Sequence, residues 1–100
     1  LMTSPFTFDM AYSQIFGALL SGAALVVTVE NPMQDPAELA DMLLAEMVTC
    51  TTMVPSVLSM LLPVCSPLPA LRHLGSGGEA LPSALARAVF DRAGALALHN

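Results

Sequence analysis

Proline and glycine divide the apolar part of this chain into short segments, and this division limits the possible folds more than any other feature of the sequence. The runs from residue 10 to 29 and from 47 to 71 contain no charged side chain, so each is long enough to cross a bilayer. The first run is broken by the Ser21-Gly22 pair and the second by four prolines. Because continuous membrane helices rarely contain such breaks, we expect short helices and strands and no membrane association.

The first half of the chain alternates between helical and extended patterns. Between Ala11 and Ser21 the large apolar residues recur at helical spacing, and Gly22 follows where a C-terminal cap belongs. The β-branched run from Ala24 to Val29 predicts a strand that is buried on both faces. Asp35, which precedes a proline, predicts an N-cap and a helix that continues to about Glu46. The apolar face of this helix is predicted to contain Leu39, Met42, Leu43 and Met47.

The second half continues the alternation. Val48 to Val54 predicts a buried strand, and a short helix is expected from Pro55 through Leu62. A third strand is predicted at Leu71 to Leu74, a helix from Pro82 to about Ala93, and a fourth strand at Ala95 to His99. Strands that alternate with helices form a parallel sheet with helices on both faces, so we predict one α/β unit over residues 1–100.

The charge balance excludes nucleic-acid binding. A net charge of −5, with three Lys or Arg residues in all, leaves no basic stripe that could follow a phosphate backbone. Only 11% of the residues are charged while 55% are hydrophobic, which predicts that further protein covers part of the surface. We interpret Cys50 and Cys65 as small core residues of a cytoplasmic protein, and His73 and His99 as core histidines.

Ligands of parallel α/β sheets bind at the carboxyl ends of the strands. In this chain those ends are Thr52 to Pro55, Gly75 to Glu79, and Asn100, so we expect these residues to converge. The glycines among residues 75–78 would let a flat or bulky ligand approach the backbone closely. The sequence therefore predicts a small-molecule site at this edge of the sheet.

A dinucleotide-binding loop is a weaker alternative for the same glycines. Gly75, Gly77 and Ala80 match the fingerprint G-x-G-x-x-A. However, Pro82 starts the following helix too late for its N-terminus to meet a pyrophosphate.

Asp9 is the only charged residue in the stretch from Phe6 to Ala11. One hypothesis is that its side chain caps the N-terminus of the following helix. Another is that it is a partly buried anion that binds a cationic ligand, because an unpaired buried carboxylate is costly. The two roles are compatible.

Several short motifs occur in a fixed order along the chain. They are Phe8-Asp9-Met10-Ala11, the run from Ile15 to Ala23, Val48-Thr49, Val54-Pro55-Ser56, Leu71-Arg72, Gly77-Gly78-Glu79-Ala80-Leu81, and Asn100. This order and spacing resembles the amino-acid adenylation domains of nonribosomal peptide synthetases, within the superfamily of adenylate-forming enzymes. The resemblance covers essentially the whole chain.

The resemblance implies a flavodoxin-like subdomain of the N-terminal core of an adenylation domain. Such domains activate an amino acid with ATP and Mg²⁺ and pass the acyl group to the phosphopantetheine thiol of a downstream carrier protein. By this resemblance Asp9 pairs with the α-ammonium of the substrate. The residues implied to line the substrate side-chain pocket are Met10, Ser13, Thr52, Gly75 and Gly77. Those implied to contact adenine are Gly78, Glu79, Ala80 and Asn100, and none is implied to be catalytic.

Two residues depart from the family's pattern, since Ala11 replaces the usual serine and Gln14 the usual acid. The family's phosphate loop belongs before Leu1 and its tyrosine-containing motif after Asn100. We therefore expect the chain to work only with the rest of an adenylation domain, which would bind most of the ATP and Mg²⁺, and to be inactive in isolation.

The sequence leaves alternatives open for the substrate and for the class of protein. Small residues at the pocket positions, with hydroxyls at Ser13 and Thr52, predict a large substrate side chain with a polar tip. The alternatives are a free-standing α/β module that binds a small molecule or nucleotide, and a fragment of an acyl- or aryl-acid CoA ligase. Substrates of such ligases lack the ammonium group that Asp9 would bind.

Overall fold

The computed structural model describes residues 1–28, 34–65, 67–93 and 96–100, in which four helices and three strands are formed. In chain order these are α1 (Asp9–Leu20), α2 (Pro36–Ala45), β1 (Cys50–Met53), α3 (Pro55–Leu61), β2 (His73–Ser76), α4 (Ser83–Ala93) and β3 (Ala97–His99). The strands are parallel and adjacent in the order β1-β2-β3. The predicted α/β class and parallel sheet are therefore confirmed.

Side chains of the sheet alternate between a buried face and an open face. Thr51 and Met53 of β1 are buried while Cys50 is exposed, and Leu74 and Ser76 of β2 are buried. The register pairs Thr51 with Leu74, so the buried side chains of neighbouring strands share one face, which we call the core face. The opposite side is the open face, which carries Cys50, Thr52, His73 and Gly75.

Three helices cover the core face. Leu39 of α2, Leu58 of α3 and Val89 of α4 belong to one buried cluster with Met53 and Leu74 of the sheet. Each of these five side chains is at most 3% exposed. Full burial of one such side chain stabilises the fold by about 1.5–3 kcal/mol, so this cluster is a major source of stability.

Helix α1 lies on the other side, over the open face. Nε2 of Gln14 donates a hydrogen bond to the carbonyl oxygen of Thr52 at 2.8 Å. Cε of Met10 is 3.8 Å from the position that a Cβ would take at Gly77. Helices therefore cover both faces of the sheet, as the alternating pattern predicts.

Residues 1–3 extend the sheet beyond β1. The backbone nitrogen of Leu1 donates to the carbonyl oxygen of Cys50 at 2.9 Å, and Met2 forms a parallel bridge with Val27. From residues 1–3 the chain continues through α1, which lies on the open face. It then passes through α2, which lies on the core face, and enters β1. This reversal opens a crevice between residues 1–3 and β1, the position at which open α/β sheets bind ligands.

Helices α1 and α2 end in the same backbone conformation with different residues. After each helix, two consecutive amides donate to carbonyls of the last turn at 2.9–3.2 Å. The left-handed residue is Gly22 after α1, with φ 73°, and Met47 after α2, with φ 49°. The predicted cap at Gly22 is therefore confirmed. Met47 does not belong to the apolar face of α2 as predicted, and its side chain is 62% exposed.

Other boundaries differ from the sequence-based expectation by a few residues. Helix α1 begins at Asp9 rather than Ala11, and β2 continues through Gly75 and Ser76, so the loop begins at Gly77. The segment predicted as a doubly buried strand forms only the bridge at Val27, which is 53% exposed. Among the described residues, no further strand lies beyond the segment that contains Val27. Val29 is outside the described residues.

The predicted core positions of the cysteines and histidines are only partly correct. Cys65 is buried, and this burial raises the pKa of its thiol. Cys50, His73 and His99 are exposed on the open face, where the two imidazole rings stack with centroids 6.0 Å apart. The register decides this, because it places all three on the side opposite Leu74. In the described part of the chain, no helix is long and apolar enough to span a membrane.

Replacing Met47 by glycine should raise the free energy of unfolding by about 0.5–1 kcal/mol. Glycine adopts positive φ without the Cβ penalty that Met47 carries, although part of this gain is offset by the greater freedom of glycine in the unfolded chain. Chemical denaturation of both proteins measures the difference. Glu46→Gly, one residue earlier at φ −86°, is the control and should lower stability. If the Met47→Gly protein is no more stable than wild type, the backbone of Met47 is not strained.

Candidate functional site

The crevice at the chain reversal is a cleft of about 320 Å³. It is bounded by the turn before α1, the start of α1, the end of β1 and the loop after β2. We call it the switch-point cleft, and the residues that line it include Thr3, Asp9, Met10, Val54, Gly78 and Glu79. The segments that follow β1 and β2 thus meet here, as their place at the strand ends predicts.

Asp9 brings a carboxylate to this cleft. It is the first residue of α1, and its Oδ1 accepts a hydrogen bond from the backbone nitrogen of Met10 at 2.8 Å. The N-cap is Phe8, which makes no side-chain cap, so the N-cap hypothesis for Asp9 is wrong. The side chain is also exposed rather than partly buried. A carboxylate is favourable at the positive end of a helix, and in the cleft it is accessible to a cationic group.

Gln14 joins α1 to the segment of residues 1–4 and to β1. Its Oε1 accepts from the backbone nitrogens of Thr3 at 3.2 Å and Ser4 at 3.4 Å. Its Nε2 donates to Oγ1 of Thr3 at 3.1 Å and to the carbonyl oxygen of Thr52 at 2.8 Å. Sequence reasoning noted Gln14 only as a departure from the family's acid. The one available signal was an uncharged polar residue on a helix otherwise rich in apolar residues.

Glu79 ties the loop after β2 to the start of α3. Its two carboxylate oxygens accept from the backbone nitrogen of Ser56 at 3.0 Å and from Oγ of Ser56 at 2.8 Å. Ser56 is the second residue of α3, so a residue 23 positions away satisfies a free amide of the first helical turn. This fixes the neighbouring backbone from Gly77 to Ala80 against the end of β1.

The two predicted pocket glycines are each covered by a side chain of the site. A Cβ at Gly75 would lie 2.7 Å from Oγ1 of Thr52, and one at Gly77 would lie 3.8 Å from Cε of Met10. A methyl group added at position 75 would therefore overlap the side chain of Thr52. Met10 is a flexible side chain, so the space above Gly77 remains adaptable.

Ser13 and Thr52 meet at a second cleft, of about 360 Å³, between α1 and β1. We call it the α1–β1 cleft. Oγ of Ser13 donates to the carbonyl oxygen of Met10 at 2.8 Å, which leaves its lone pairs free to accept a further bond. The predicted pocket residues are thus divided between two neighbouring clefts.

The remaining predicted residues, Ala80 in the loop after β2 and Asn100 after β3, are not among those that line either cleft. Asn100 directly follows β3, in which His99 pairs with Gly75, so it lies level with the end of β2. Gly78 has φ 81°, and a Cβ there would approach Cγ1 of Val54 to 3.3 Å, so the turn requires glycine. Within the described ranges, no group of three or more His, Cys, Asp or Glu residues could hold a metal ion.

Comparison with known sequences gives consistent matches. Residues 1–100 match the profile of the AMP-binding enzyme family. Phosphinothricin tripeptide synthetase PhsB of Streptomyces viridochromogenes is 37% identical over 100% of this chain and 9% of its own length. Gramicidin S synthase 2 of Brevibacillus brevis is 30% identical over 100% of this chain and 2% of its own length. The chain therefore spans less than a tenth of either relative.

Solved structures have the same fold. The nonribosomal peptide synthetase FmoA3 superimposes with a TM-score of 0.89 and 27% identity, over 97% of this chain and 11% of FmoA3. PA1221, described as containing adenylation and PCP domains, gives a TM-score of 0.82 and 30% identity, over 97% of this chain and 20% of that one. VinN, solved in complex with L-aspartate, gives 0.81 and 25% identity, over 95% of this chain and 24% of VinN.

Gly75→Ala should lower the free energy of unfolding by about 1–3 kcal/mol, because the new methyl group would overlap the side chain of Thr52. The double variant Gly75→Ala/Thr52→Ala should recover most of this loss. Gly17→Ala is the control, since nothing lies within 4 Å of its added Cβ, and it should stabilise α1. Denaturant titration of the four proteins tests this. A double variant no more stable than Gly75→Ala would show that Thr52 does not set the requirement for glycine.

Proposed function

The chain belongs to the AMP-binding enzyme family, and we propose that it forms the substrate-pocket part of an amino-acid adenylation domain in a nonribosomal peptide synthetase. In this proposal an amino acid reacts with ATP to give an aminoacyl-adenylate and pyrophosphate. The acyl group then passes to the phosphopantetheine thiol of a carrier protein. The observation that carries the proposal is the carboxylate of Asp9 beside the loop of Gly78 and Glu79 in one cleft at the chain reversal.

Asp9 is proposed to bind the α-ammonium group of the amino acid. A charge-assisted pair of this kind gains strength when a substrate and the surrounding protein exclude water from the cleft. The side chain of the amino acid would extend toward Met10, Ser13, Thr52 and Gly77. VinN is described in complex with L-aspartate, which supports an amino acid as the ligand of this fold.

We assign the adenine of ATP to the loop after β2. Gly78 and Ala80 are exposed, and the bonds from Glu79 to Ser56 hold the backbone between them in place for a flat ring. We propose that Asn100, at the same edge, hydrogen-bonds the amino group of the base. When bound, ATP supplies the phosphoryl centre for the carboxylate of the amino acid. The described residues provide no cluster for Mg²⁺, so we assign its ligands to other parts of the domain and derive no step through it.

Several large apolar side chains support an extensive contact with further protein. Exposed side chains of this kind include Phe6, Phe8, Tyr12, Phe16, Leu19 and Leu20, which are 53–84% exposed. All six lie between residues 6 and 20, and isolated domains rarely expose large apolar patches, which disfavours a free-standing module. We propose that the rest of the adenylation domain covers it, that a downstream carrier protein accepts the product, and that the enzyme is cytoplasmic. PA1221, which combines adenylation and PCP domains, supports the carrier partner.

The complete domain should catalyse pyrophosphate exchange that depends on one amino acid with a large side chain and a polar tip. Exchange of labelled pyrophosphate into ATP with each standard amino acid measures this. The hundred residues alone should show no exchange, because we assign the groups that clamp the phosphates and the metal to other parts of the domain. Preference for glycine or alanine would refute the substrate class. Activity with aryl or fatty acids alone would favour the CoA-ligase alternative.

Asp9→Asn should reduce kcat/KM for the amino acid by about 30-fold to a few thousand-fold, because the α-ammonium would lose its counter-charge in a desolvated site. KM for ATP should change little, since adenine is assigned to other residues. Thermal melting should also change little, because an asparagine oxygen can still accept from the nitrogen of Met10.

Kinetics and melting of wild type, Asp9→Asn and the control Asp41→Asn test this assignment. Asp41 is an exposed carboxylate on α2, away from both clefts. If Asp9→Asn turns over its amino acid as well as Asp41→Asn does, Asp9 does not bind the substrate.

A further inference from the structure

One side chain supplies the hydrogen bonds that hold the loop between β2 and α4. Among the described residues, no backbone-to-backbone hydrogen bond outside the helices and strands involves residues 77–81. The side-chain bonds of the loop in that part of the chain are the two that Ser56 donates to Glu79. The loop is otherwise held at its ends, by β2 and α4, and by the backbone of Gly78 beside Val54. The bonds to Glu79 are therefore its main polar restraint.

The composition of this loop makes such a restraint important. Gly77 and Gly78 are adjacent, and glycine has the widest conformational freedom of any residue. Gly78 and Ala80 are also exposed, so little packing limits the backbone between them. A ligand that had to order this segment on binding would bind more weakly, because part of its binding free energy would be spent on the ordering. A loop that is already held in its bound shape avoids this loss.

The two bonds fix both the distance and the orientation of the Glu79 carboxylate. Oε2 accepts from the backbone nitrogen of Ser56 at 3.0 Å, and Oε1 accepts from its Oγ at 2.8 Å. Because both oxygens face Ser56, the carboxylate cannot turn toward a base without giving up these bonds. Ser56 is followed on α3 by Val57 and Leu58, which are at most 4% exposed. The loop is thus tied to a helix that the core holds in place.

We propose that Ser56 and Glu79 are positioning residues for ATP, whose paired hydrogen bonds hold the loop after β2 in the shape that receives the adenine ring. The inference rests on the proposed function and refines it. The resemblance implies that Glu79 itself contacts adenine, and it gives no role to Ser56. Here the carboxylate acts through Ser56 and leaves the base to the loop backbone. The pair also connects two motifs of the resemblance, Val54-Pro55-Ser56 and the one from Gly77 to Leu81.

The test is a double-mutant cycle in the complete adenylation domain, with Ser56→Ala, Glu79→Ala and the double variant. Pyrophosphate exchange gives KM for ATP and for the amino acid, and thermal melting is measured beside it. Ser56→Ala removes the bond from Oγ and keeps the one from the nitrogen, so KM for ATP should rise about threefold to tenfold. Glu79→Ala removes both bonds, so KM for ATP should rise about fivefold to fiftyfold.

The remaining readouts separate positioning from direct contact. Adding Ser56→Ala to Glu79→Ala should change KM for ATP by less than about twofold, because the hydroxyl then has no carboxylate to bind. Glu79→Gln should stay within about twofold of wild type, since its amide can accept from the nitrogen of Ser56 and donate to Oγ. KM for the amino acid should change little, because Asp9 lies on α1 and bonds to neither residue. Melting should also change little, because water can replace bonds between exposed groups.

Two matched variants serve as controls. Ser59→Ala is the same substitution on α3, at an exposed serine whose Oγ donates to the carbonyl oxygen of Pro55 and not to the loop. Glu38→Ala removes an exposed carboxylate from α2. Neither residue is among those that line the two clefts. Both variants should keep the wild-type KM for ATP.

The possible outcomes are distinguishable. The proposal is wrong if Ser56→Ala has the same KM for ATP as Ser59→Ala, or if the two single effects multiply in the double variant. It is also wrong if Glu79→Gln is as impaired as Glu79→Ala, since the charge would then be required and not the bonds. Equal losses in KM for ATP, KM for the amino acid and melting would show a structural role alone. A wild type without exchange for any amino acid removes the proposed function, and this role with it.

Discussion

The part of the structure that forms both clefts depends on one carbonyl group, that of Thr52. It accepts two hydrogen bonds of 2.8 Å, from Oγ1 of Thr3 and from Nε2 of Gln14, and so joins the edge segment, β1 and α1 at one point. Polar groups that are withdrawn from water must remain paired, and the members of such a network stabilise one another. Thr3 lines the switch-point cleft, and Gln14 and Thr52 line the α1–β1 cleft, so both clefts border on this network.

The buried side chains of the core face stabilise the fold, and the residues proposed to bind the substrate lie on the side of the open face. On the core face, Met53 and Leu74 pack against three helices and leave little room for a ligand. On the open face, Gly75 and Gly77 let other side chains lie directly over the strands. The alternation of side chains along a strand makes this separation possible, because a substitution on one face leaves the opposite face in place. The residues proposed to line the pocket are therefore separate from the buried cluster.

Local signals in the sequence were sufficient for most of the secondary structure. Asp35 caps α2 as predicted, with Oδ1 accepting from the nitrogens of Ala37 at 2.9 Å and Glu38 at 3.2 Å. Met47 was mispredicted because the left-handed residue after α2 is not a glycine, so the usual local signal for this cap was missing. The faces taken by Cys50 and His73 were mispredicted for another reason. A one-residue change of register moves a side chain to the other face, and register is set by neighbouring strands.

The order of residues along the chain was enough to predict the alternation of helices and strands, the parallel sheet, and the meeting of the segments that follow β1 and β2. It also contained the motifs that identify the family, because motif order is a property of the linear chain. Three contacts became visible only in the folded chain: Ser56 donates to Glu79, Thr52 lies where a Cβ at Gly75 would be, and Gln14 joins α1 to β1. These contacts connect residues 23 and 38 positions apart, and no local pattern of propensity or periodicity encodes a hydrogen bond across such a separation.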